Sequence, residues 1–160
     1  MRYSSRELVR GALIAALYVV LTLLSAVFGL SGGVIQFRLS EALCILPCFT
    51  PAAVPGLLAG CVLSNLLTGC PLWDVLFGSL ATLIGAVGTR LLRKNKWLAP
   101  VLPIVANTLM VPALLLLVYQ TPGTYGFFAL TVGVGEVVCC GVLGLLLHLL
   151  IEKRLSQLFR

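Results

Sequence analysis

The chain has 160 residues, 60% of them hydrophobic and 10% charged, and a formal net charge of +6. Soluble domains carry about 25% charged and about 45–50% apolar residues, so the composition argues against a soluble enzyme, a disulfide-rich secreted module and a disordered tail. At roughly 20 residues per crossing, the length suffices for about six membrane spans with short loops, and the basic excess suits the cytoplasmic loops of such a protein better than nucleic acid.

The expected elements, cut at polar and Pro/Gly punctuation, are as follows. Span one covers Arg6 to Leu30. Its basic start and apolar continuation resemble a signal peptide, but the run from Gly11 to Leu30 is long and no small-residue cleavage site ends it, which predicts a first transmembrane helix. The loop Ser31 to Phe37 follows. Span two is Arg38 to Phe49, ended at Thr50-Pro51 because proline removes a donor and restricts its neighbour. Span three is Ala52 to Leu67, followed by the turn Thr68 to Pro71. Span four runs from Trp73 to Leu92 and leads to the basic loop Arg93 to Lys96. Span five is Leu98 to Tyr119, and the turn Thr121-Pro122-Gly123 introduces span six, Tyr125 to Ile151. The expectation is an all-α integral membrane protein, a six-helix bundle forming a single membrane domain over residues 1–160.

Spans two and three are short, and charge decides whether they are separate. If residues 38–67 were one crossing, the Arg90 to Lys96 cluster would lie opposite the basic N-terminus. With six spans, both termini and that cluster share one side. Arg2, Arg6, Arg10, Arg90, Arg93, Lys94, Lys96, Lys153, Arg154 and Arg160 are then cytoplasmic, ten of eleven basic residues, with Arg38 outside. The positive-inside rule therefore favours six spans with both ends in the cytoplasm.

The six cysteines (Cys44, Cys48, Cys61, Cys70, Cys139 and Cys140) have no His or acidic neighbour at metal-ligand spacing. They read as small buried hydrophobes. His148, alone near the cytoplasmic end of span six, reads as a packed or interfacial side chain rather than a proton relay.

Ionisable groups within a bilayer are costly and face a cavity or a partner. Glu7 and Glu152 lie beside cytoplasmic basic residues. The charges left over are Arg38, Glu41, Asp74 and Glu136, joined by the amides Asn65 and Asn107, with Gln36 and Gln120 near the outer surface. Glu41 and Asp74 lie within about a turn of the outer ends of their spans, Asn65 roughly 6 Å below one, and Asn107 and Glu136 roughly 13–17 Å along theirs. The set converges on the outer half of the membrane, with Phe37, Trp73, Tyr119, Tyr125, Phe127 and Phe128 nearby. Plainer roles exist for most of these residues. Trp and Tyr favour interfaces regardless of any pocket. Arg38 and Glu41, three apart, can pair on one helix face. Asp74 can answer a helix dipole, and Asn65 and Asn107 can be interhelical hydrogen-bond glue. Glu136 has no such role, its nearest charge within span six being Glu152. Three acids against one Arg suit a solute that is cationic or offers several N–H donors.

Span one carries small residues four apart, Gly11 with Ala15 and Ala12 with Ala16, and span three repeats the device at Gly56 to Gly60. Such spacing lets another helix approach closely, inside the chain or outside it. No Walker, HExxH or G-x-S-x-G motif is present, so no ATPase or hydrolase is expected.

The residues Gln36-Phe37-Arg38-Leu39-Ser40-Glu41-Ala42-Leu43 resemble a signature of the QueT family, the queuosine-precursor transporters. The resemblance continues through Ser64-Asn65, Asp74 to Ala81, Asn95 to Pro100, Asn107 and Gly135-Glu136. It implies an S component of an energy-coupling factor (ECF) transporter, a six-helix membrane subunit that captures a micronutrient outside the cell. Its partners would be a transmembrane T component and two ATPase subunits. The chain itself would need no cofactor, ATP being used by those partners. In such subunits an A-x-x-x-A motif on the first helix meets the T component, and Ala12 and Ala16 match it, flanked by Gly11 and Ala15. The implied solutes are 7-deazaguanines such as preQ1 and queuine. On this reading Glu136 takes the guanine-like edge and Glu41 or Asp74 the amine. Asn107, Asn65, Arg38, Gln36, Phe37, Trp73 and Tyr119 complete the expected site. The competing readings are a stand-alone carrier coupled to an ion gradient through Glu136 or Asp74, and a small intramembrane enzyme using two carboxylates.

Overall fold

The computed structural model describes residues 4–30 and 37–155, apart from the side chains of Arg154 and Leu155. The loop expected between spans one and two, Phe37 excepted, lies outside the described residues, as do Gln36, Arg2 and Arg160.

The first helix, α1 (Ser5–Val27), starts at a capping box: the Glu7 backbone N–H donates to Ser4 Oγ at 3.4 Å, and the Ser4 backbone N–H donates to Glu7 Oε2 at 2.9 Å. Two orphan donors at the helix start are thereby satisfied. The second element, Leu39–Cys48, is a 3-10 helix and not the α-helix that the sequence suggests. It contains Pro47, which has no N–H to give, and Pro51 soon bars continuation. Its C-terminal carbonyls are capped from another helix, Arg90 Nη1 donating to Pro47 O at 3.0 Å and Cys48 O at 3.4 Å. Then come α2 (Ala53–Leu67), α3 (Leu72–Leu91) and α4 (Val101–Leu117). The C-terminal rod is α5 (Tyr125–Glu136), a π-helical stretch (Val137–Leu143), α6 (Gly144–Leu150) and a second π-helical stretch (Ile151–Leu155), without a break. The expected boundaries agree with these elements to within a few residues, and no strand occurs among the described residues.

Three helices are long and apolar enough to cross a membrane: Ser5–Val27, Leu72–Leu91 and Tyr125–Lys153. The apolar helices Leu39–Cys48, Ala53–Leu67 and Val101–Leu117 are shorter. At 1.5 Å per residue, the 15 residues of α2 reach about 22 Å, short of a bilayer core of about 30 Å.

The arrangement is inverted relative to a soluble domain. Leu13, Leu17, Val20 and Leu24 of α1 point outward, while Glu41, Asn65, Asn107 and Glu136 are buried. The α1–α2 seam is closed by glycine. A Cβ on Gly56 would come within 2.6 Å of Gly11 O, and one on Gly60 within 2.7 Å of Tyr18 Cβ and 3.0 Å of Ala15 O. Backbone thus approaches backbone along this seam, as the small-residue spacing allows. The core behind it joins Ile14 and Tyr18 of α1 to Leu43 and Cys44 of the 3-10 helix, Leu57 and Cys61 of α2, and Cys140 of the rod.

Candidate functional site

Four elements supply the polar interior: α1, the 3-10 helix, α4 and the C-terminal rod. Glu41, in the first turn of the 3-10 helix and 2% exposed, is held on all sides. Tyr18 Oη donates to its Oε1 at 2.5 Å, and the Cys44 thiol and Asn107 Nδ2 donate to its Oε2 at 3.1 and 3.5 Å. The same α1 face continues upward: Thr22 Oγ1 donates to Ser40 Oγ at 2.9 Å, and the Leu39 N–H donates to Ser25 Oγ at 3.0 Å. Three consecutive turns of α1 therefore fasten the 3-10 helix, whose own i→i+3 hydrogen bonds have poorer geometry than those of an α-helix.

Glu136 closes α5 where the π-helical stretch begins. It is 8% exposed, and its Oε2 has no hydrogen-bond partner. A buried carboxylate oxygen left unpaired is expensive, and π-bulges frequently mark functional positions. Arg38, Glu41, Asn107, Val111, Val132 and Glu136 enclose a cavity of about 20 Å³, room for a single water-sized group.

A second cavity, about 210 Å³, lies beside it. Asp74 and Phe77 of α3, Met110 and Leu114 of α4, Tyr119, Cys70 and again Arg38 and Val111 line it. Asp74, in the first turn of α3, accepts a 2.8 Å hydrogen bond from Tyr119 Oη on its Oδ2. Gln120, next in the chain, has φ 49°, the left-handed conformation that non-glycine residues seldom adopt. The two adjoining cavities make a chamber divided by Arg38 and Val111, with Glu41, Glu136 and the amide of Asn107 at its inner end and Asp74 and the Phe77 ring at its outer end. Such a chamber can accept N–H donors from a small planar solute and balance a positive charge on it.

The expected residues divide. Glu136, Glu41, Asn107 and Arg38 meet at the inner cavity, and Asp74, Tyr119 and Arg38 at the outer one. Asn65 lines neither: its Nδ2 donates to the Asp74 backbone carbonyl at 3.3 Å and approaches Cys61 Sγ at 3.6 Å, the interhelical role open to it from the start. Trp73 is half exposed and packs on Phe77 with ring centroids 5.9 Å apart. Phe37 hydrogen-bonds through its N–H to Leu30 O at 2.9 Å and lines neither cavity. Gln36 lies outside the described residues. The i, i+3 pairing of Arg38 with Glu41 is not made within 4.0 Å.

Three residues escaped the sequence reading. Tyr18 is the one polar-tipped aromatic inside span one, a signal that was available. Cys44 behaves as a donor to Glu41 and not only as a small hydrophobe. Phe77 stands in the chamber wall beside Tyr119.

On α1 the two small-residue pairs face different ways. Gly11 and Ala15 meet Gly56 and Gly60 of α2, while Ala12 and Ala16 are exposed. A shallow groove of about 230 Å³ runs beside them, between α1 and α2, lined by Glu7, Ala12, Ala52, Pro55 and Ala59 among others.

Apolar outside, ionisable inside and built on membrane-length helices, the chain is a multi-pass protein of the cell membrane. It belongs to the QueT transporter family, whose model matches residues 8–153. Over 79 residues it is 39% identical to the "Queuosine precursor transporter QueT" of Lactococcus lactis subsp. cremoris (strain MG1363). That stretch is 49% of this chain and 46% of the relative, so the similarity spans about half of each. No solved structure matches the chain.

Proposed function

We propose that the chain is the solute-binding S component of an ECF importer and captures a queuosine precursor, a 7-deazaguanine such as preQ1 or queuine, from outside the cell. The observation that carries this reading is Glu136, a buried carboxylate with one oxygen unpaired, facing a cavity that also holds Asn107 and Glu41. A deazaguanine presents a ring N–H beside an exocyclic amine, and Glu136 would accept from that edge. Asn107 would read the neighbouring carbonyl. The amine of preQ1 or queuine is cationic at neutral pH and would extend towards Asp74 in the outer cavity. Glu41, already accepting from Tyr18, Cys44 and Asn107, would act by its charge and by holding Asn107. Phe77 would stack on the ring, as aromatics do in nucleobase recognition.

The chain would form a single membrane domain over residues 1–160, with six spans and both termini in the cytoplasm. Two pieces of the fold support that orientation. Cys70, Asp74 and Tyr119 gather at one end of the bundle, and Lys96 pairs with Glu152 at 3.0 Å at the other. Ala12 and Ala16 would dock the T component, the two ATPases would supply ATP hydrolysis, and this chain would be a binding subunit and not an enzyme.

The test is equilibrium binding to the purified chain without partners, titrating preQ1, queuine and guanine, with riboflavin and thiamine as controls. Tight, selective binding of a deazaguanine is expected. A folded chain that binds none of the three removes the solute assignment.

A further inference from the structure

The two cavities have exactly two lining residues in common, Arg38 and Val111. The inner cavity, at about 20 Å³, has a tenth of the volume of the outer one, at about 210 Å³, and room only for a water-sized group. No solute reaches Glu136 from the outer chamber while that wall stands. Val111 is a short side chain within α4. Arg38 is different: it precedes the 3-10 helix, its guanidinium is on a long flexible stem, and no ion pair within 4.0 Å ties it to Glu41, Asp74 or Glu136. It nevertheless lines the inner cavity with Glu41 and Glu136 and the outer one with Asp74. Among the described residues it is the one cation lining either cavity, against three carboxylates, and it borders both.

We propose that Arg38 is a movable partition and resident counter-cation: it offsets the carboxylates of the two cavities when no solute is bound, and swings aside as a cationic solute brings its own positive charge into the chamber. The proposal rests on the solute reading above and deepens it. Exchange of one cation for another leaves the local charge balance intact, whereas a neutral solute adds none of the charge that the displaced Arg38 withdraws. A buried carboxylate that loses its counter-charge is strongly destabilised. Arg38 thus selects for solutes that bring a positive charge. Its part is to set access and charge selection, without holding the bound ring.

The experiment measures association by stopped-flow and affinity at equilibrium, for two solutes with the same head: preQ1, whose aminomethyl group is cationic, and preQ0, whose nitrile is neutral. In Arg38→Ala, association of both solutes should quicken about tenfold, and preQ0 should lose its disadvantage in access relative to preQ1. Arg38→Gln keeps much of the bulk without the charge, so the change in the ratio of the two solutes should appear with a smaller change in rate. Val111→Ala opens the same wall without touching charge: both solutes should enter faster and the ratio should stay as in the wild type. This variant also decides the steric part if Arg38→Ala does not fold. Unchanged association in both alanine variants overturns the partition. A fall in affinity of tenfold or more for both solutes in Arg38→Ala overturns it too, because Arg38 would then hold the solute directly. If the wild-type chain binds neither solute, the solute reading falls and the partition with it. Binding with unaltered access removes the partition alone.

Discussion

Glu41 and Glu136 are the same residue type at the wall of the same cavity, and hydrogen bonds set them apart. Glu41 accepts from a phenol, a thiol and an amide, while Glu136 Oε2 accepts from nothing. A bond from a neutral donor to a charged acceptor is worth about 1.5–3 kcal/mol, so Glu136→Gln should weaken deazaguanine binding about 10- to 100-fold. The Gln side chain fills the same space, and the unfolding temperature of the empty protein should hold or rise. Unchanged affinity in isothermal titration would take Glu136 out of the site. Tyr18→Phe makes the complementary case. It strips the 2.5 Å donor from a buried carboxylate, and should lower stability by about 1–3 kcal/mol, read as a drop in thermal unfolding midpoint in detergent. If the midpoint does not move, the Tyr18–Glu41 bond contributes nothing and Glu41 is held by the other two donors.

At the scale of elements, α1 has two distinct faces. One is pressed into α2 at Gly56 and Gly60 and bolted to the 3-10 helix by Tyr18, Thr22 and Ser25. The other presents Ala12 and Ala16 outward. Substitutions should sort accordingly. Gly56→Ala would put a methyl 2.6 Å from the Gly11 carbonyl oxygen, a backbone clash that cannot be relieved by rotating a side chain. Overpacking of this kind costs about 1–3 kcal/mol, so the variant should unfold at a lower temperature. Ala16→Leu, on the exposed face, should leave both unfolding and solute binding as they were, while cells carrying the partner subunits lose uptake. Normal uptake by Ala16→Leu would mean that this face does not meet the T component.

For the whole molecule, the distribution of charge over the ends of the bundle leads to a topology that can be mapped. Reporters fused at residue 160 and within the 93–96 loop should both register the cytoplasm, and one within the 121–124 turn the outside. Signals from opposite sides for the first two would break the six-span arrangement. The long helices were legible because an apolar run of this length has few alternatives to a membrane span. The polar residues of the proposed site were legible as a set for the same reason: a bilayer leaves an ionisable side chain nowhere cheap to go. The second element was misjudged in kind, since its helical character was evident and its 3-10 winding depends on Pro47 together with the Arg90 cap from α3.

Composition, punctuation and the placement of Lys and Arg, all properties of the linear chain, thus determined the class of protein, the helix order and the short list of polar residues. They could do so because transfer into a bilayer is paid residue by residue. Which carboxylate is satisfied and which is open was decided only by the tertiary structure. So were the hydrogen bond of Asn65 across the α2–α3 seam, the place of Phe77 in the chamber wall, and the division of α1 into an inner and an outer face. Each depends on which side chains from distant segments arrive within about 3 Å of one another, the range over which hydrogen bonds act, and sequence spacing carries no record of that.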